Sequence, residues 1–198
     1  MNRLRAVLDG LVPGLGRGPR RLLALDLETT GPDPELAEIL AIGTVPVVDG
    51  AVRIGATTST LVCPVSRLAF EGIAVHHLRP TDVISAPAVG EVLPEVLAAV
   101  EDADALLVHH AALDVRVLER ACAATGLHWP SPRVVDTIDL IGRVRGRQRA
   151  TGSGRRLPRD LAGARAALGL PPHQAHDAAA DAIATAELYL ALRVQLGG

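Results

Sequence analysis

Leu22-Leu23-Ala24-Leu25-Asp26-Leu27-Glu28-Thr29-Thr30-Gly31 decides how this chain is read. It is an apolar run of strand length that delivers two carboxylates two residues apart and stops at a glycine turn. Side chains at i and i+2 of a strand share a face, so Asp26 and Glu28 project side by side from the end of a buried strand. Lysine is absent from the chain, and no arginine adjoins these two acids in sequence. A divalent, oxygen-seeking metal ion is the simplest partner for such a pair. Two exposed acids on an ordinary strand is the plain alternative, and the remaining motifs decide between the two.

Working outward, residues 21–28 read as the first strand. Segments 38–48 and 52–62 both carry β-branched residues and are joined by Asp49-Gly50, a strong hairpin signal. Residues 72–87 read as loop, and 91–100 as a helix with Val92, Val96, Leu97 and Val100 on its apolar side. A short buried strand at 105–108 leads into a helix at 112–125, which Gly126 ends. Val134-Val135 is another short strand, running into Asp136-Thr137 as a helix cap. A helix at 157–168 stops at Gly169 and Pro171-Pro172, and the last helix spans 177–196. This order predicts an α/β fold: a mixed five-stranded sheet, its three N-terminal strands antiparallel in part and its last two parallel, flanked by helices. Residues 1–20 read as an N-terminal helical turn and flexible tether, and 21–198 as one domain with an Arg-rich loop at 143–159.

The composition suits that reading. A chain of 198 residues, 48% of them hydrophobic, builds one substantial core. Only 2% are aromatic, so the core must be Leu, Val, Ile and Ala, with no broad platform for stacking nucleobases. A net charge of −2 leaves the distribution of charge, not its sum, to speak about polyanions. Cys63 and Cys122 lack metal-ligand spacing and read as buried thiols of a reducing compartment. No apolar run approaches the eighteen or so residues that span a bilayer. Asp9, Pro13 and several glycines interrupt any signal-peptide core. A cytoplasmic protein without a membrane partner is expected.

Further acids stand at other element ends. Asp114 lies just inside the helix that follows Leu107-Val108-His109-His110-Ala111-Ala112-Leu113. His176 and Asp181 bracket the start of the last helix, in His176-Asp177-Ala178-Ala179-Ala180-Asp181. Five helical residues turn through about 500°, so the two cannot share a helical face. His176 therefore belongs to the loop before the helix, where it suits a base beside a metal rather than a ligand.

With these three motifs in order, the chain resembles the DEDDh 3′–5′ exonucleases, the ribonuclease-H-like group that includes DNA-polymerase proofreading subunits and ribonuclease T. The first motif is Asp26 to Gly31, the second His109 to Asp114 and the third His176 to Asp181, and the likeness runs from about residue 21 to 194. A tyrosine-type relative would carry Tyr four residues before the last acid; Asp177 stands there, which indicates the histidine type. The resemblance implies a ribonuclease-H-like sheet, with Asp26, Glu28, Asp114 and Asp181 as ligands of two divalent ions, Mg2+ or Mn2+. It makes His176 the general base and sets Thr29, Thr30 and His76 against the terminal nucleotide. His110 and Leu113 occupy positions where the family commonly has Asn and Phe; the resemblance places both at the substrate, with no aromatic ring at 113 to meet a base.

The activity implied is metal-dependent 3′–5′ hydrolysis of single-stranded or frayed DNA ends, releasing nucleoside 5′-monophosphates. A positioned base supplies about 10²–10⁴-fold, far short of what phosphodiester hydrolysis demands within roughly 10⁶–10¹⁷ or beyond. The ions, rather than His176, are expected to carry most of the rate. RNA-trimming relatives stack terminal bases on several phenylalanines, whereas this chain has only Phe70, outside all three motifs. That favours DNA, with an RNA 3′-end-trimming exoribonuclease of the ribonuclease T or oligoribonuclease kind as the alternative. A non-catalytic nucleic-acid- or polymerase-binding domain is the rival class; its mark would be a lost acid, and all four are present. A DNA polymerase or repair complex is the candidate protein partner, although nothing after residue 194 offers a tail for holding one. Arg143, Arg145, Arg147, Arg149, Arg155, Arg156 and Arg159 have no acid between them. They read either as a grip on phosphates or as a solvated basic face.

Overall fold

A computed structural model gives the architecture and describes residues 19–66, 78, 80–152 and 156–197. His76, Phe70, Arg155 and all but the end of the expected N-terminal tether lie outside the described residues. The strands are β1 (Arg21–Thr29), β2 (Ile39–Val48), β3 (Ala51–Val52), β4 (Thr58–Leu61), β5 (Ala105–Val108) and β6 (Val134–Asp136). The helices are α1 (Pro80–Ile84), α2 (Val89–Asp102), α3 (Ala111–Thr125), α4 (Thr137–Thr151), α5 (Leu161–Ala167) and α6 (Ala178–Gln195).

The stretch read first is the centre of the sheet. β1 pairs antiparallel with β2 on one side and parallel with β5 on the other, and β6 continues parallel to β5. The outer edge of β2 carries both β3 and β4, so the sheet is mixed, as the element order predicts. The Asp49-Gly50 turn joins β2 to β3, and both residues have the positive φ (51° and 76°) that a tight hairpin turn requires. The single strand expected over 52–62 is instead broken by a 3-10 turn at Ile54–Ala56. These residues are exposed, and the β-branched Ile54, 60% exposed, meets no sheet face to bury against.

Alternation along β1 sorts the core into two layers. Leu23, Leu25 and Leu27 join Leu106 and Val108 on the face covered by α2 and α3. Leu22 and Ala24 join Val45, Val47 and Leu107 on the face covered by α4, α5 and α6. Asp26 and Glu28 continue the second series, so they emerge from the sheet on the side of α6. Gly43 stands opposite Asp26 on β2. A Cβ there would overlap the Ala178 carbonyl and the Ala179 nitrogen. Only glycine lets the first turn of α6 rest directly on the sheet beside Asp26.

Four local expectations are corrected. The 143–159 segment is not a loop throughout: α4 runs to Thr151, placing Arg143, Arg145, Arg147 and Arg149 on a helix. Its anchor is Leu140, Ile141 and Val144, buried at helical spacing, and Gly152 ends it with φ 64°. The helix expected from 157 begins at Leu161. Leu157 is buried in the second core layer and followed by Pro158, while Asp160 caps the helix by accepting the Gly163 N–H at 2.7 Å. Within 72–87 the described part includes α1, whose Val83 packs against Leu40. Of the two thiols, Cys122 is buried but Cys63 is only half-buried.

Candidate active site

Three elements meet at the C-terminal end of β1. Asp26 and Glu28 come from the strand, and Asp181 comes from the first turn of α6, which Gly43 admits against the sheet. Oxygens of these three carboxylates all lie within 4.8 Å of one another. Asp114, in the first turn of α3, is 4% exposed and is an electrostatic neighbour of both Asp26 and Glu28. The sheet register slips between Glu28 and Thr29. Such an irregularity re-aims the chain at a strand end.

The crowding shows in acidity. Burial, then the charges of Asp114, Asp181, Glu28 and Asp177, push the Asp26 carboxyl well above its ordinary value. Burial and the charges of Asp181 and Asp177 raise Glu28 to about 7. Asp114 is raised by burial, then by Asp136 and Glu28. Asp181 is raised by burial too, against the opposing pull of the His176 main chain and of His173. Like charges this close keep protons unless a cation replaces them. An all-carboxylate oxygen set of this kind fits a hard divalent ion such as Mg2+ or Mn2+. Asp26, Glu28 and Asp181 are the residues able to hold one, with Asp114 beside them.

The loop before α6 is shaped around Asp181. His176 takes a left-handed backbone conformation (φ 65°), rare for a non-glycine residue. Its main-chain N–H thereby donates to Asp181 Oδ2 at 2.9 Å. The His176 residue is exposed, as a loop position before the helix should be. Asp177 caps α6 by accepting the Ala180 N–H at 2.9 Å. His173 places Nε2 2.8 Å from Asp181 Oδ1. In the sequence His173 reads as an ordinary loop residue, and only its three-residue spacing from His176 offered a signal.

The second motif is organised by Asp136. Its carboxylate accepts from His110 N at 3.1 Å, Ala111 N at 2.9 Å and Ile138 N at 2.8 Å. It thus caps α4 and holds the start of α3, fixing the turn that carries Asp114. The cap was legible; the bonds to residues 25 and 26 positions earlier were not. His110 is also left-handed (φ 82°) and exposed. His109 Nδ1 lies 2.7 Å from Thr137 Oγ1, and burial depresses its pKa. Leu113 packs toward the α2–α3 core rather than standing clear of it. Thr29 is buried, its hydroxyl donating to Gly31 O at 2.9 Å. Thr30 Oγ1 accepts the Glu38 N–H at 3.0 Å. Both threonines shape the turn after β1.

The chain is similar to several known proteins. A DNA polymerase III subunit epsilon-like protein of Rhodobacter capsulatus is 33% identical over 190 residues, covering 90% of this chain and 26% of that protein. The PolC-type DNA polymerase III of Thermotoga maritima is 30% identical over 174 residues, 87% of this chain and 12% of the polymerase. The chain therefore spans about a quarter or less of the length of these relatives. Exonuclease X, solved with 5′-overhanging duplex DNA, superposes with a TM-score of 0.65 at 23% identity, covering 89% of this chain and 93% of its own. Escherichia coli exonuclease I, solved with a dT13 oligonucleotide, gives 0.71 at 16% identity over 86% of this chain and 40% of its own. These two likenesses establish the ribonuclease-H-like fold. A family model described as Exonuclease matches residues 23–189, a span that holds every acid of the cluster. The chain belongs to the exonuclease family.

Proposed function

We propose that the protein is a metal-dependent 3′–5′ exonuclease that removes nucleoside 5′-monophosphates from single-stranded or frayed DNA ends. The observation that carries this reading is the convergence of Asp26, Glu28 and Asp181 within 4.8 Å, with Asp114 buried alongside. In this reading the four acids hold two divalent ions. Bound dications supply Lewis acidity toward the phosphate and a nucleophile at neutral pH. The chain's own residues do the rest. His176, exposed at the mouth of the cluster, takes a proton from the attacking water. The turn at Thr29 and Thr30, braced by Gly31 and Glu38, seats the terminal nucleotide. Leu113, half-buried against the core, offers the terminal base an aliphatic contact in place of an aromatic one. The epsilon-like and PolC-type relatives support a role near a DNA polymerase.

Matched DNA and RNA oligonucleotides, labelled at the 5′ or the 3′ end, test the reading with Mg2+, with Mn2+ and with chelator. The expected result is metal-dependent release of mononucleotides from the 3′ end, faster on DNA. Faster digestion of RNA would reverse the substrate. Absence of hydrolysis with either metal on every substrate would leave a binding domain instead.

A further inference from the structure

The site leaves one cationic surface unused. Arg145 and Arg149 are four residues apart on α4, so they share a face of that helix. Arg145 donates from Nε to the Leu157 carbonyl at 2.7 Å, which holds the chain at Leu157 against the helix. Arg156 and Arg159 flank Leu157 in sequence. Burial first, then the nearby charges of Arg156, Arg159 and Arg149, depress the Arg145 pKa, so these three cations lie near Arg145. Arg149, Arg156 and Arg159 are exposed. The ion pairs among the described residues involve other arginines.

This surface begins at the catalytic rim and leads away from it. The Arg159 main chain lies near enough to the His109 ring to act on its acidity, and His109 Nδ1 meets Thr137, the first residue of α4. Asp136, next in the chain, holds the turn that carries Asp114. From Thr137, Arg145 and Arg149 lie about 12 and 18 Å along the helix axis. A stacked strand presents a phosphate about every 3.4 Å, so this span matches about four or five of them. An acidic protein would need no such line starting at the site.

We propose that Arg149, Arg156 and Arg159, backed by Arg145, form a stripe that binds backbone phosphates several nucleotides 5′ of the bond being cut. The inference rests on the nuclease reading for the position of the 3′ end. It adds a length dependence: strands long enough to reach along α4 bind more tightly than strands that only fill the site.

Fluorescence anisotropy in chelator, with labelled oligothymidylates of about 3 and about 15 nucleotides between about 50 and 200 mM salt, tests this. In the parent the longer strand binds more tightly. In R149A/R156A/R159A most of that advantage is lost, and the slope of log K against log salt falls by about 2, since each single-strand phosphate contact contributes about 0.7. The matching triple lysine variant keeps most of the slope. Should the triple alanine variant fold poorly by circular dichroism, R149A and R156A separately each lower the slope by about 0.7. An unchanged slope and unchanged length dependence in folded variants would overturn the stripe. So would arginine-dependent binding of poly-glutamate without binding of the oligonucleotide, which would name an acidic protein as the partner. Hydrolysis with Mn2+, assayed in parallel, separates the two ideas. Cleavage with an unchanged slope removes the stripe alone, and a reduced slope without cleavage removes the nuclease reading alone.

Discussion

His173 Nε2 lies 2.8 Å from Asp181 Oδ1, on side chains that are 10% and 13% exposed. With the His176 amide on Oδ2, both oxygens of Asp181 are oriented by the loop that precedes their own helix. Groups that orient a metal's carboxylate ligand without touching the metal typically contribute about 10–100-fold to affinity. H173A should weaken Mn2+ binding by about that factor in calorimetry, with H173N, which retains a donor, intermediate. Unchanged or tighter binding would confine the contact to the metal-free protein.

Glu28 titrates near 7 in the folded chain, against an ordinary value of 4.5. Between those values the folded state holds a proton that the unfolded state has released. The associated stability is complete below the unfolded value and is lost as pH rises through the folded one. Asp26, Asp114 and Asp181 shift in the same direction. The melting temperature of the metal-free protein should fall between about pH 5.5 and pH 8, and a dication should restore more of it at the higher pH. E28Q should flatten the pH dependence and reduce the rescue. A metal-free melting temperature that rises over this range would refute the account.

Under the proposed mechanism, removing His176 and removing Asp26 should cost different amounts. H176A should lower kcat/KM by about 10²–10⁴-fold and leave measurable hydrolysis. D26N, nearly the same shape, should leave essentially none and also abolish tight Mn2+ binding. Equal residual rates, in folded variants whose metal binding has been measured, would count against this division of labour.

The seat of α6 is open to a one-methyl test. G43A forces the first turn of α6 off the sheet, at about 1–3 kcal/mol by urea denaturation, and carries Asp181 away from Asp26. Mn2+ affinity and kcat/KM should both fall by about ten-fold or more for even a 1 Å displacement. Gly142, on the outer face of α4, has open space around it. G142A should instead be neutral or stabilising by about 0.4–1 kcal/mol. Similar effects at the two positions would mean that the close approach at Gly43 does not set the geometry.

The apolar run before Asp26, the Asp49-Gly50 turn and the ordered acids were legible because each is a local pattern: a period, a turn requirement, a fixed spacing. What escaped depends on partners distant in sequence. Gly43 reads as one more small residue in a strand until Ala178 is laid over it. His173 reads as loop until the backbone of His176 turns Asp181 toward it. Arg143 to Arg149 look like loop because four arginines and Gly146 obscure the helical spacing of Leu140, Ile141 and Val144. Residues 52–62 look like one strand because β-branched residues favour sheets only where a face is available to cover them.

Asp136 fastens α4 and α3 at a single point, with one carboxylate gripping amides at the head of each. The two helices consequently share a pivot and cannot tilt independently. A change in the tilt of α4 is therefore felt at the first turn of α3, where Asp114 stands.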